Sequence, residues 1–204
     1  MRKLILLTPL VWLLAVSSLP AASSEADRLK GVINAAIEAV YGDGCAELTL
    51  EEKQVKVRAT LESEYDLDVI IRRAIGRNWS LMNAQEQEQV LQLVKQLLVK
   101  AYVKGMNGTS RPEVQLGETI EITDKRIEIP SEIKMDGKTV NVLYRLGRMK
   151  SGWQIYDIVA EDISVVANYR QQLDDHFRKG NGQDLVNKLK ELLIKEDIDE
   201  EIQL

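Results

Sequence analysis

The apolar residues change their spacing once along this chain, from a helical period before Gly105 to strict alternation after it, and that change constrains the fold more than any single motif. From Ser24 to Tyr41 the positions Leu29, Val32, Ile33, Ala36, Ile37 and Val40 fall on one helical face, and Gly42 and Gly44 end the pattern. A second, more charged helix is expected over Leu50 to Ser63, with Val55, Val57 and Leu61 less regularly placed. Asp66 precedes a third run, Leu67, Val69, Ile70, Ile71, Ala74 and Ile75, with Gly76 where a helix ends. Asn83 and Glu86 make a capping box that opens a long helix whose stripe is Val90, Leu91, Val94, Leu97, Leu98, Ala101 and Tyr102.

Beyond Gly105, Ile120 with Ile122, Ile127 with Ile129, Ile133 with Met135, and Val140 with Val142, Tyr144 and Leu146 alternate as strand residues do. Asp136-Gly137 predicts a tight hairpin, and Pro130 an edge, bulge or break. Trp153 to Ala160 reads as the last strand, followed by a helix from about Ile163 to Lys179, a Gly180-Asn181-Gly182 break, a short helix and an acidic tail from Lys195. Helices before and after one antiparallel meander predict an α+β domain. Its helical N-terminal half packs on a curled antiparallel sheet, cone-shaped in the manner of NTF2-like and cystatin-like folds, with C-terminal helices completing it.

The first 22 residues read separately. Arg2 and Lys3, the apolar run Leu4 to Val16 and the small residues Ala21, Ala22, Ser23 and Ser24 have the layout of a secretory signal peptide, and the run is shorter than the ~20 residues of a spanning helix. An uncleaved anchor is the alternative. The expected organisation is a signal peptide over 1–22 and a single domain over 23–204. No cysteine follows the apolar run closely enough for lipidation, the only one being Cys45. Losing Arg2 and Lys3 makes a chain of net charge −5 more acidic still, which argues against nucleic acid or an anionic membrane face as a partner held by charge.

Catalytic and metal chemistry find little to work with. His176 is the only histidine, which excludes sites built on several imidazoles. Ser164 and His176 are twelve positions apart on one predicted helix, ~18 Å, too far for a nucleophile and its base. No glycine-rich phosphate loop is present. Asp157 on its apolar strand could act as a general base, but alternation turns Tyr156 to the opposite face. A structural Asp157 instead pairs with Arg170 or with amides at the start of the next helix. The expectation is a protein that is not an enzyme, with no cofactor and no metal. What remains is abundant aliphatic surface, which suits acyl chains if the interior is hollow and an ordinary core if it is filled.

Trp153, Tyr156, Asp157, Ser164, Asn168, Tyr169 and Arg170 together resemble the C-terminal signature of the toluene-tolerance/Mla family of periplasmic phospholipid-binding proteins. Tyr65-Asp66, Gly76-Arg77-Asn78-Trp79, Gln85 and Tyr102 resemble its N-terminal pattern, and Asp162 stands where relatives usually have Gly. The resemblance implies a soluble, monomeric periplasmic carrier that holds phospholipid tails in an apolar cleft. Such a carrier passes lipid between an outer-membrane lipoprotein complex and an inner-membrane ABC transporter complex, touching these only transiently and binding no nucleic acid. Hopanoid-associated lipid transport within the same family, or an enzyme using Asp157, are the alternatives. Implied lipid contacts are Trp79, Ile127, Ile129, Val140, Val142, Tyr144, Leu146, Trp153, Ile155 and Val166, with Arg145, Arg148 and Lys150 near the head group and Asp157, Ser164, Asn168, Tyr169 and Arg170 as the structural motif.

Export predicts a mature N-terminus near Ser23; N-terminal sequencing of the exported protein checks it, and an intact Met1 refutes it.

Overall fold

The computed structural model describes residues 21–106 and 110–195, so most of the expected leader and the acidic tail beyond Lys195 lie outside the described residues. The chain forms α1 (Ala21–Tyr41), α2 (Leu50–Glu64), α3 (Leu67–Ile75) and α4 (Ala84–Met106). The strands β1 (Glu113–Leu116), β2 (Ile120–Thr123), β3 (Arg126–Met135), β4 (Lys138–Met149), β5 (Gly152–Ala160) and β6 (Ile163–Ser164) follow, and α5 (Val165–Phe177) and α6 (Gly182–Ile194) close the chain. This is the α+β arrangement that the change of period predicts. None of the described helices is long and apolar enough to cross a membrane.

Local chemistry sets the helix ends. The Asp66 carboxylate accepts from Asp68 N at 3.0 Å and opens α3. Asn83 and Glu86 bond each other's backbone N–H at 2.8 and 3.0 Å and open α4. Thr49 with Glu52 and Asn181 with Asp184 do the same for α2 and α6. Gly76 ends α3 at φ 58, a conformation other residues enter at a cost.

The six strands form one antiparallel sheet in the order β1-β3-β4-β5-β6, with β2 also on β3. Strand β1 escaped the sequence reading because four residues carry too little alternation. Pro130 neither breaks nor bulges β3, which pairs with β4 in unbroken register from Arg126 to Met135. On its other side β2 pairs with residues up to Glu128 and β1 begins at Ser131, so Pro130 falls where no ladder amide is needed. Its carbonyl accepts from Gly117 N at 2.8 Å. Asp136 (φ 51) and Gly137 (φ 74) make the expected hairpin turn.

The end of the meander departs from expectation. Ile163 and Ser164 extend the sheet by pairing with Ala160 and Val159, and the helix starts only at Val165. Glu161 and Asp162 turn the chain with φ 46 and 65, so Asp162 keeps the left-handed backbone a glycine would adopt. A bulge opposite Arg145 and Leu146 pairs these with Asp157 and Ile155 and leaves Tyr156 over. Tyr156 consequently shares the face of Asp157 rather than opposing it: a Cβ on Gly147 would lie 3.2 Å from its ring, and Arg73 stacks over it at 4.6 Å.

Asp157 joins sheet to helix. It is 6% exposed and accepts from Ser164 Oγ at 2.8 and 3.0 Å, Val166 N at 3.2 Å, Ile158 N at 2.9 Å and Arg145 Nη1 at 3.2 Å. The Ser164 hydroxyl also caps α5 through Ala167 N at 3.0 Å. The helix amide belongs to the expected partner set; the cation is Arg145, not Arg170. Adjacent strands put Arg145 directly opposite Asp157, whereas Arg170 points to α3 and donates to the Arg73 carbonyl.

Removing a buried carboxylate strands the groups that donate to it, so Asp157→Ala should lower stability by about 3 kcal/mol. A double-mutant cycle by chemical denaturation should give clear coupling of Asp157 with Arg145 and additivity with Arg170. The reverse pattern refutes the assignment.

Candidate functional site

Three packed clusters stand around the interior. Ile71, Ile75, Met82, Val90, Leu91, Leu97, Leu173, Leu185, Val186 and Leu189 join α3 to α6. Leu29, Val32, Tyr65, Ile127, Ile129 and Leu146 join α1 to the sheet. Ala39, Val40, Val57, Val99, Val103 and Met106 join α1, α2 and α4. Between them lies a cavity of about 450 Å³, walled by α1 to α4 on one side and β1, β3, β4 and β5 on the other. A smaller apolar space of about 70 Å³ lies among α3, α4, α5 and α6, and Ile70, Leu98 and Val165 belong to both walls.

The large cavity is aliphatic almost throughout. Its lining includes Ile33, Ile37, Val99, Met135, Val142 and Ile158, and the residues with polar groups are Asp66 and three tyrosines, Tyr65, Tyr102 and Tyr144. Burial pushes the phenol of Tyr144 up to about 12. Burial also pushes Tyr65 up to about 12, against the opposing pull of Arg28. Tyr102 moves upward mainly by burial, with smaller contributions from Tyr144 and Tyr41. All three stay neutral near pH 7, leaving a chamber that favours hydrocarbon and tolerates uncharged hydrogen-bonding groups.

Arg28 fastens one end of this chamber. Its guanidinium donates to Glu25 Oε2 at 2.7 Å, the Glu64 carbonyl at 2.8 Å and the Trp153 carbonyl at 2.9 Å, and lies 4.3 Å over the Tyr65 ring. One side chain thus links α1, the α2–α3 junction and β5. Gln154 adds to the junction by accepting from Asp66 N at 2.7 Å.

Of the residues singled out in the sequence, Val142, Tyr144 and Ile155 stand on the large cavity's wall, and Val166 lines the smaller space. Ile127, Ile129 and Leu146 share the inward face but are fully buried in packed core, and Trp153 packs beside them. Val140 is 37% exposed near the hairpin, and Trp79 packs among the helices with Arg72 stacked 4.7 Å over it. Arg145 occupies the sheet face away from the cavity, held by Glu128 at 2.9 Å and Asp157 at 3.2 Å. Arg148 and Lys150 are exposed at the far end of the β4–β5 hairpin. Tyr169 lines the smaller space and Asn168 accepts from Gln172 Nε2 at 3.5 Å. Gln87 fixes the turn before α4, donating to the Trp79 and Met82 carbonyls at 3.0 and 3.1 Å. Sequence reading missed Tyr65 and the α1 residues as cavity wall, because their spacing identifies a buried face and not what that face meets.

The family model of the MlaC protein matches residues 32–191. A solved structure, that of a phospholipid-binding protein from Ralstonia solanacearum in complex with a phospholipid, superposes with a TM-score of 0.69 at 22% identity, covering 83% of this chain and 98% of that one. The comparison with curated proteins finds no match.

A phenol whose folded-state pKa lies above its ordinary value contributes stability that is complete below about pH 10 and is lost as pH rises toward about 12. Melting temperature should therefore fall across that window, with phenolate absorbance of the folded protein lagging behind that of the unfolded chain. Complete ionisation near pH 10 with the fold intact would contradict the burial of Tyr65 and Tyr144.

Proposed function

The chain belongs to the MlaC protein family, and we propose from that premise that it is an exported, periplasmic carrier that binds the acyl chains of a phospholipid in its large cavity. The observation that carries the reading is an aliphatic chamber of about 450 Å³ between the helical layer and the sheet. A filled core would have made the same residues a stability device; a hollow one makes them a binding wall. Phospholipid bound to the similarly folded Ralstonia solanacearum protein supports the reading.

Each methylene taken from water into such a wall contributes ~0.8 kcal/mol, so a tail is retained without a charged anchor and without any reaction. The same arithmetic makes unaided escape into water slow. A carrier of this kind therefore hands its lipid over in contact with membrane machinery, and we assign it the route between an outer-membrane lipoprotein complex and an inner-membrane ABC transporter complex. Val142, Tyr144 and Ile155 are the proposed lipid contacts from the sheet, facing Ile33, Ile37 and Tyr102 from the helices. Use of Asp157 as a general base on a cavity-bound substrate finds no geometric support, because its carboxylate is on the other face of the sheet with Arg145 and Ser164.

Organic extraction of the purified protein followed by mass spectrometry should recover phospholipid. A bulky side chain in a packed core costs ~1–3 kcal/mol, whereas in a chamber it takes the volume of the guest. Val142→Trp, alone or with Ile155→Trp, should stay folded while copurifying with several-fold less lipid. Parent protein without lipid, together with unfolded variants, would overturn the proposal.

A further inference from the structure

Tyr65 is 3% exposed, and its hydroxyl is buried without a hydrogen-bond partner among the described residues. Its ring is fixed where it stands: the backbone N–H donates to the Leu61 carbonyl at 3.0 Å, and Arg28 covers one face at 4.3 Å. The side chain lines the large cavity. A buried donor left without an acceptor destabilises a fold, so an acceptor supplied by an occupant would recover what the protein leaves unmade.

The surroundings specify which acceptor fits. Arg28 is the nearest cation, and it already has Glu25 at 2.7 Å and Glu64 at 3.4 Å, so this end of the chamber offers no unneutralised positive charge to a phosphate. Burial keeps the Tyr65 hydroxyl protonated well past neutral pH, which makes it a donor. An uncharged oxygen acceptor meets both conditions, and in a lipid whose tails lie along an aliphatic wall that oxygen is the carbonyl joining tail to glycerol. We propose that Tyr65 binds the ester carbonyl of a carried lipid, fixing the oxygenated end of an acyl chain at the Arg28 end of the cavity. This rests on the carrier reading above and adds a specificity element to it, since the aliphatic side chains that make up most of the wall cannot distinguish one tail linkage from another.

The test is a competition. The mature protein is incubated with vesicles containing equal amounts of diester phosphatidylethanolamine and its dialkyl ether counterpart of the same chain length, repurified, and its lipid quantified by mass spectrometry. One net hydrogen bond corresponds to about a three- to tenfold preference, so parent protein should enrich the ester by that factor over the vesicle ratio. Tyr65→Phe should bring the ratio to about one, while Tyr156→Phe, on the opposite face of the sheet, should leave it unchanged. Because Tyr65→Phe removes an oxygen with no partner in the protein, its melting temperature should be no lower than the parent's; a clear drop would reveal a protein partner and overturn the proposal. Equal uptake of both lipids by the parent, or an unchanged preference in Tyr65→Phe, also overturns it while leaving the carrier reading standing. Uptake of neither lipid defeats the carrier reading itself.

Discussion

An apolar space of about 450 Å³ remains open inside a protein only if its walls are held apart by something stiffer than the space itself. Here the stiffness comes from the packed clusters around it. Leu29 and Val32 seat α1 on Ile127, Ile129 and Leu146 of the sheet, and Val57 and Val103 seat α2 and α4 against α1. The Leu185 and Leu189 side of α6 backs α4 from behind. Helix and sheet therefore meet firmly around the chamber, and Ile33, Val142 and Tyr144 line the space left between them. Much of what distinguishes this protein from an ordinary α+β domain follows from that division between filled and unfilled interior.

The polar chemistry is kept out of the chamber by the sheet. Arg145, Glu128, Asp157, Ser164 and Tyr156 belong to its other side, where their charges and hydrogen bonds satisfy one another. The bulge at Tyr156 contributes to this separation: by adding one residue to β5 it sends both Tyr156 and Asp157 outward and returns Ile158 to the cavity wall. One irregularity thus yields a buried carboxylate that clamps α5 and an aliphatic inner face with no charge on it.

The three cavity tyrosines fit between these two environments. They come from the α2–α3 junction, α4 and β4, and each is moved upward in pKa chiefly by burial, so they offer hydrogen bonds without offering charge. Arg28, the cation over Tyr65, is ion-paired with Glu25 and Glu64 and bonded to two backbone carbonyls, and it works as a fastener. A wall of this kind holds a guest through area and selects among guests only through its few neutral polar points.

Spacing alone specified the four N-terminal helices, the caps at Asp66 and Asn83, the Asp136-Gly137 hairpin and the α+β class, because each depends on residues close together in the chain. The passage of β3 through Pro130, the pairing of Ile163 and Ser164 with β5, and the choice of Arg145 over Arg170 depended on neighbouring strands whose positions no local pattern encodes. The same is true of the site. Periodicity identified Val142, Tyr144 and Ile155 as inward-facing, and it identified Ile127, Ile129 and Leu146 as inward-facing in the same way. Alternation determines which face of a strand avoids water; the distance to the helices opposite, set by distant packing, decided which of those residues meet a core and which meet a cavity.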